Sequence, residues 1–351
     1  MGQWAIIGGL VGTGAFVILA GARAVRYGDL LAEKTRLSSA WVGLVLLAAL
    51  TSLPELVVTI AAQLAVSRPG LVMSNVCGSN LFNLLIFGLV DLTVGAAPIS
   101  FYLDKRLVRP AVNGMFIMSI AIVSMLLPRW LWGRVAVVAG WVSSLAVVSV
   151  YFRIMTLKQE GGEAAKIPKA PKTPKWRAKQ DALSLGQVIV RFAGFALVLV
   201  ASGTALILLC DKLLANEIVI GSFSFRVDES VVGMVVLAMI TSLPEVAVSL
   251  SAVRREQYEM AVGNILGSNI FNVCLLPIAH FVRPTEPFWS AATPVNAASL
   301  AMAMLLAGVI AVGIRFKTRR SLFGVGWDGF VVAALGVLTF FFVVRTGMAA
   351  S

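Results

Sequence analysis

The string TSLPE occurs twice in this chain of 351 residues, at 51–55 and 241–245, each time inside an apolar run long enough to cross a bilayer. TSLPELVVTIAAQ (51–63) and TSLPEVAVSLSAV (241–253) share seven of thirteen positions, and NVCGSNLFN (75–83) and NILGSNIFN (264–272) share six of nine. The offsets are 190 and 189 residues, so both halves carry the same two segments in the same order. This is an internal duplication, and any fold for the chain must hold two copies of one unit.

Composition names the solvent. The chain is 59% hydrophobic and 13% charged, with a mean hydropathy of +0.91, against about 45–50% apolar and about 25% charged in a soluble domain. Apolar runs fall at 4–22, 39–66, 70–93, 108–127, 131–152, 185–210, 230–252, 259–282, 291–314 and 328–345, and a spanning helix needs about 20 residues. The reading is an all-α integral membrane protein of ten transmembrane helices. A cytosolic enzyme, a secreted disulfide scaffold and a disordered chain are excluded. Cys77, Cys210 and Cys274 sit in or at the ends of apolar runs and read as small buried hydrophobes. No basic stretch precedes the first run, which reads as a retained helix and not a cleaved signal.

The net charge of +12 is a matter of topology. The loops between helices 1–2, 3–4, 5–6, 7–8 and 9–10 hold 21 Lys and Arg, and the opposite side holds 7. The positive-inside rule then puts the 5–6 loop in the cytoplasm and both termini outside. Residues 153–181 are rich in Lys and Pro with a Gly-Gly pair, a solvated linker by composition. The expected organisation is a five-helix repeat at 1–152, a cytoplasmic linker at 153–184 and a second repeat at 185–351. Five crossings separate helix 2 from helix 7, so the repeats are inverted, as in secondary transporters that work by alternating access.

Glu55 and Glu245 lie deep in these helices, where a carboxylate is costly and is read as functional. Thr51 and Ser52 precede Glu55 by four and three residues and share its helix face, as Thr241 and Ser242 do for Glu245. Pro54 and Pro244 each remove a backbone donor, so the helices are expected to kink near Ala48–Thr51 and Ala238–Thr241 and free carbonyls there. Ser79 and Asn83, and Ser268 and Asn272, repeat the four-residue spacing on the next helix, with Asn75 and Asn264 one turn earlier. Gly78 and Gly267 allow close helix approach.

The set is two carboxylates, two amide oxygens and six hydroxyls, all hard donors that suit Ca2+ or Na+. Two carboxylates about 6 Å apart repel by about 3 kcal/mol at an effective dielectric near 20. They call for two positive charges: one Ca2+, two or more Na+, or two protons. Competition for one such pair is the physical basis of exchange. A catalytic nucleophile with its base is missing from the pattern, and His280 and Asp91 read as interfacial residues, so the chain is not read as an enzyme. No cofactor, nucleic acid or obligate protein partner is implied. The partners are the transported ions and the lipid bilayer.

These strings resemble the α-repeats of the cation/calcium antiporter superfamily, the sodium/calcium exchangers and their relatives. The resemblance implies Ca2+ bound centrally by Glu55 and Glu245, with hydroxyl ligands at Thr51, Ser52, Thr241, Ser242, Ser79 and Ser268. It further implies polar ligands at Asn83 and Asn272, carbonyl ligands at Ala48 and Ala238, helices 1 and 6 sliding across the core, and a place in the inner membrane of a prokaryote. The chain departs from the family at Leu50 and Ile240, where glycine is usual, and at Ser74, where the second repeat keeps Gly263. Two couplings stay open: Ca2+ against Na+, or Ca2+ or another divalent cation against protons.

Overall fold

The computed structural model of the chain describes residues 3–35, 42–94, 97–127, 130–131, 134–156, 183–215, 218–220, 223–225, 231–254, 256–284, 288–317, 321–322 and 325–349. Its elements follow the apolar runs. After α1 (Gln3–Thr35), the second run forms a broken helix made of a π-helical segment (Val42–Leu47), α2 (Ala48–Thr51) and α3 (Leu53–Leu64). Next come α4 (Pro69–Val94), the short α5 (Ile99–Tyr102), a 3-10 turn (Lys105–Leu107), α6 (Val108–Leu126) and α7 (Arg134–Thr156). The second half runs in the same order: α8 (Leu185–Ala215), a π-helical segment (Val232–Leu237), α9 (Ala238–Thr241), α10 (Leu243–Val253) and α11 (Tyr258–Val282). A 3-10 turn (Phe288–Ala291), α12 (Pro294–Phe316) and α13 (Trp327–Ala349) complete it.

Among the described residues, six helices are long and apolar enough to cross a membrane, or eight with each bent pair taken as one span. α1 and α8 add helices of 33 and 31 residues. α1 runs well past the expected end at residue 22, because the Arg, Asp, Glu and Lys of 23–34 are compatible with a helix outside the bilayer. The expectation of helices alone needs one correction. Ile218–Ile220 pairs antiparallel with Phe223–Phe225, and Ser321–Leu322 with Val325–Gly326, as two small hairpins in connections. Residues 157–182, most of the expected linker, and the side chain of Cys210 lie outside the described set. Cys77 and Cys274 are buried and free.

Both broken helices bend at serine. The segment Gly43–Thr51 meets α3 at 46° across Ser52, and Val232–Thr241 meets α10 at 43° across Ser242. Pro54 and Pro244 fall in the first turn of the following helix, where a missing N–H costs nothing. The break thus comes just after the stretch expected from the prolines. Ala48 O and Ala238 O are not bare: each accepts from the N–H of Ser52 or Ser242 at 3.0 Å.

α4 and α11 form the core, with 72% and 78% of their spanning windows buried, against 17% for α7. Each crosses the π-helical segment of the other half at a glycine. A β-carbon on Gly78 would strike the backbone of Met234, and one on Gly267 the backbone of Leu44. α1 and α8 pack on each other outside this core, α1 against α10 and α8 against α3. Tyr27 stacks on Phe195 at 5.7 Å, and Leu30 and Val188 form a separate apolar cluster with them.

Two residues expected at the interface are buried. Asp91 is 1% and His280 is 3% exposed. They are also equivalent, 189 residues apart at the far ends of α4 and α11. Asp91 accepts from the N–H of Ile99 and of Gly326 at 2.6 Å each. His280 Nδ1 lies 2.9 Å from Ser144 Oγ, which accepts from Trp289 Nε1 at 3.1 Å. Each therefore ties the end of its long helix to a distant element, Asp91 to Gly326 and His280 to Ser144 of α7, a role that only long-range pairing reveals.

Candidate functional site

The two bends bring the TSLPE segments face to face at the centre of the bundle. Glu55, Glu245, Ser52, Ser242, Thr51, Thr241, Ser79, Ser268, Asn83 and Asn272 are all at most 1% exposed. The first turn of α3 and of α10 supplies the glutamate, the break supplies the serine, and α4 and α11 supply the Ser/Asn pairs.

The hydrogen bonds cross between the halves. Ser52 Oγ donates to Glu245 Oε1 and Ser242 Oγ donates to Glu55 Oε1, both at 3.0 Å. Ser79 reaches Glu55 Oε1 at 3.5 Å and Ser268 reaches Glu245 Oε1 at 3.4 Å from within their own halves. Thr51 and Thr241 sit against the carbonyls of Ala48 and Ala238 at 3.3 and 3.4 Å. Each carboxylate is thus held by one oxygen, while Oε2 of both has no hydrogen-bond partner. The side chains of Asn83 and Asn272 have none either. Among the described residues no Lys or Arg pairs with either glutamate.

Buried polar groups without partners are rare and signal water or an ion. Here two carboxylate oxygens and two amide groups are buried and unsatisfied. A cation meets such a set chemically, because each free carboxylate or amide oxygen is a hard donor. Ile240 and Leu50, the departures flanking the site, do not stand among these donors. The Ile240 side chain packs toward Gly14 of α1, with Cγ2 3.3 Å from a β-carbon position there.

The halves differ just beyond the glutamates. In one, Thr51 donates to Asn264 Oδ1 at 3.3 Å, Asn264 Nδ2 to Ser249 Oγ at 3.4 Å, and Ser249 to Ala261 O at 3.5 Å. The equivalent residues Asn75 and Thr59 have unpartnered side-chain polar atoms, as does Gln63 at its Oε1. Thr59 and Gln63 were not singled out in the sequence, although they follow Glu55 at four and eight residues and so continue its helix face.

The profile of the family described as sodium/calcium exchanger protein matches residues 5–158 and 195–346, once in each half. The inner membrane protein YrbG of Escherichia coli (strain K12) is 28% identical over 252 residues, 70% of each chain. The sodium/calcium exchanger MaX1 of Methanosarcina acetivorans is 35% identical over 72 residues, 20% of this chain and 21% of that protein. Among solved structures, the sodium-calcium exchanger NCX_Mj aligns with a TM-score of 0.59 at 20% identity, over 95% of this chain and 97% of that one. YfkE aligns with a TM-score of 0.65 at 15% identity, over 96% and 92%. At these identities the structural likeness speaks for the fold, that of an integral, multi-pass membrane protein. With the family profile spanning both halves, the chain belongs to the sodium/calcium exchanger protein family.

Proposed function

We propose that this protein is a secondary antiporter, not an enzyme, that exchanges Ca2+ for Na+ by alternating access. One observation carries the reading. Oε2 of Glu55 and Glu245 and the amides of Asn83 and Asn272 are fully buried and unpartnered, and among the described residues no Lys or Arg pairs with either carboxylate. Ca2+ neutralises that pair with one ion and two or more Na+ do so in its place, so each displaces the other. Thr51, Ser52, Thr241, Ser242, Ser79 and Ser268 complete the shell with hydroxyls, and Ala48 and Ala238 contribute carbonyls once Thr51 and Thr241 turn toward an ion. Na+ is favoured over protons as the counter-ion because the hydroxyls form a coordination cage that a proton does not need.

The reading includes ten spans in two inverted repeats, at 1–152 and 185–351, joined by the cytoplasmic segment 153–184, with both termini outside a prokaryotic inner membrane. The unequal hydrogen bonding of Asn75 and Asn264 supports alternating access. Two inverted repeats that exchange conformations must differ in any one state, and these two do. α1 and α8, packed on each other outside the core, suit the part that slides.

The test is Ca2+ uptake into proteoliposomes loaded with Na+ at matched pH, compared with a proton gradient in the absence of Na+. Uptake that requires internal Na+ supports the reading. Uptake driven by protons alone moves the protein to Ca2+/H+ exchange, for which the two carboxylates would carry two protons.

A further inference from the structure

We propose a second cation site, separate from the transport site, at Asp91, Asp328 and Ser100, which binds a divalent cation such as Ca2+. Three segments meet there: the end of α4, the start of α5 and the start of α13. Asp91 and Asp328 are each 1% exposed, and so is Ser100. The two carboxylates close around one glycine. A β-carbon on Gly326 would touch Asp328 Oδ1 and lie 3.0 Å from Asp91 Oδ2. Gly313 and Gly329 make room on the outer sides, since β-carbons there would touch Asp328 Oδ2 and Asp91 Oδ2.

The hydrogen bonding leaves this cluster short of positive charge. Asp91 is accounted for by two backbone N–H groups. Asp328 is not: neither of its oxygens has a hydrogen-bond partner. Its place in the first turn of α13 suggests a helix cap, but the caps elsewhere in this chain behave differently. Asp104 accepts from Arg106 N at 2.8 Å, and Thr293 accepts from Asn296 N at 3.2 Å. The Ser100 hydroxyl and the backbone N–H groups of Asp328 and Gly329 are directed toward the Asp328 carboxylate, yet none meets it in hydrogen-bond geometry, and Ser100 Oγ has no other partner. Four buried oxygens thus remain without a full set of partners: both of Asp328, the second lone pair of Asp91 Oδ2, and Ser100 Oγ. All are hard donors, and two carboxylates match the charge of a divalent ion.

The second half offers the contrast. At the equivalent place His280, Ser144 and Trp289 form a chain in which each polar group meets another. Only the first half keeps two acids there. Asp91 lies eight residues beyond Asn83 on α4, about 12 Å along the helix at 1.5 Å per residue. An ion here fixes the helix that carries Ser79 and Asn83 to α13.

The test uses the full chain carrying Glu55→Gln and Glu245→Gln, which removes the transport site from the measurement. Tb3+, an oxygen-seeking probe for Ca2+ sites, is added and its emission excited through Trp327, the residue beside Asp328. Equilibrium binding of radioactive Ca2+ is followed in parallel. The expected result is one bound ion, competed by Ca2+, with affinity at least tenfold weaker after Asp328→Asn and several-fold weaker after Ser100→Ala. Thermal melting gives a second readout. Ca2+ should raise the melting temperature of the double Gln variant, and Asp328→Asn should abolish that rise while leaving the Ca2+-free protein as stable as its parent or more so. Absence of binding in the double Gln variant, or binding that Asp328→Asn leaves unchanged, would overturn the proposal. So would a Ca2+-free melting temperature that falls on Asp328→Asn, because Asp328 would then be a structural cap.

Discussion

Ser52 Oγ donates to the carboxylate of Glu245 at 3.0 Å, although the two residues are 193 positions apart in the chain and lie in different repeats. The reciprocal bond from Ser242 to Glu55 has the same length. Each half therefore supplies a hydroxyl to the glutamate of the other. The bend at each serine aims its hydroxyl at the opposite glutamate.

This reciprocity predicts which residues couple. Ser52→Ala and Ser242→Ala should each weaken half-maximal Ca2+ activation of uptake by about tenfold or more, since hydrogen bonds to charged groups are worth about 1.5–3 kcal/mol. Double-mutant cycles should find coupling for Ser52 with Glu245 and for Ser242 with Glu55, with near-additivity for Ser52 with Glu55. Coupling confined within each repeat would refute the crossed arrangement.

Close packing at the π-helical segments predicts a stability difference among glycines. Gly78→Ala and Gly267→Ala force a methyl group into backbone of the opposite half, and overpacking of this kind costs about 1–3 kcal/mol. Gly8→Ala meets nothing within 4 Å and should be neutral or mildly stabilising. Thermal melting in detergent separates the cases, and equal melting temperatures for all three would count against the packing described.

The unequal halves predict opposite effects from equivalent substitutions. Asn264→Ala removes bonds to Thr51 and Ser249 that exist in this conformation, whereas Asn75→Ala removes none. Asn264→Ala should destabilise this state, and Asn75→Ala the one facing the other way. Apparent Ca2+ affinities measured from the two sides of the membrane should then shift in opposite directions. Shifts of the same sign would mean that the asymmetry is not part of the transport cycle.

The sequence carried the local part of this structure and lost the long-range part. The glutamates and their hydroxyl neighbours, which the structure buries together, followed from spacing along a helix. The prolines announced a bend but not its place: their missing donors are absorbed in the first turn of α3 and α10, so the break moves to Ser52 and Ser242. Charged residues at 23–34 suggested a helix end, yet charge ends a membrane crossing and not a helix. Asp91 and His280 looked interfacial because their partners, Gly326 and Ser144, are more than a hundred residues away. Thr59 and Gln63 obeyed the same four-residue rule that selected Thr51 and were legible; only their lack of partners in the structure draws notice to them.

The central claim is that Glu55 and Glu245 form one shared cation site. The most direct measurement is radioactive Ca2+ uptake into Na+-loaded proteoliposomes by the intact protein and by Glu55→Gln and Glu245→Gln, each verified as folded by gel filtration. The account predicts that either substitution alone abolishes uptake, because one remaining carboxylate cannot balance Ca2+ in a fully buried cage. Substantial uptake by either single variant would contradict it.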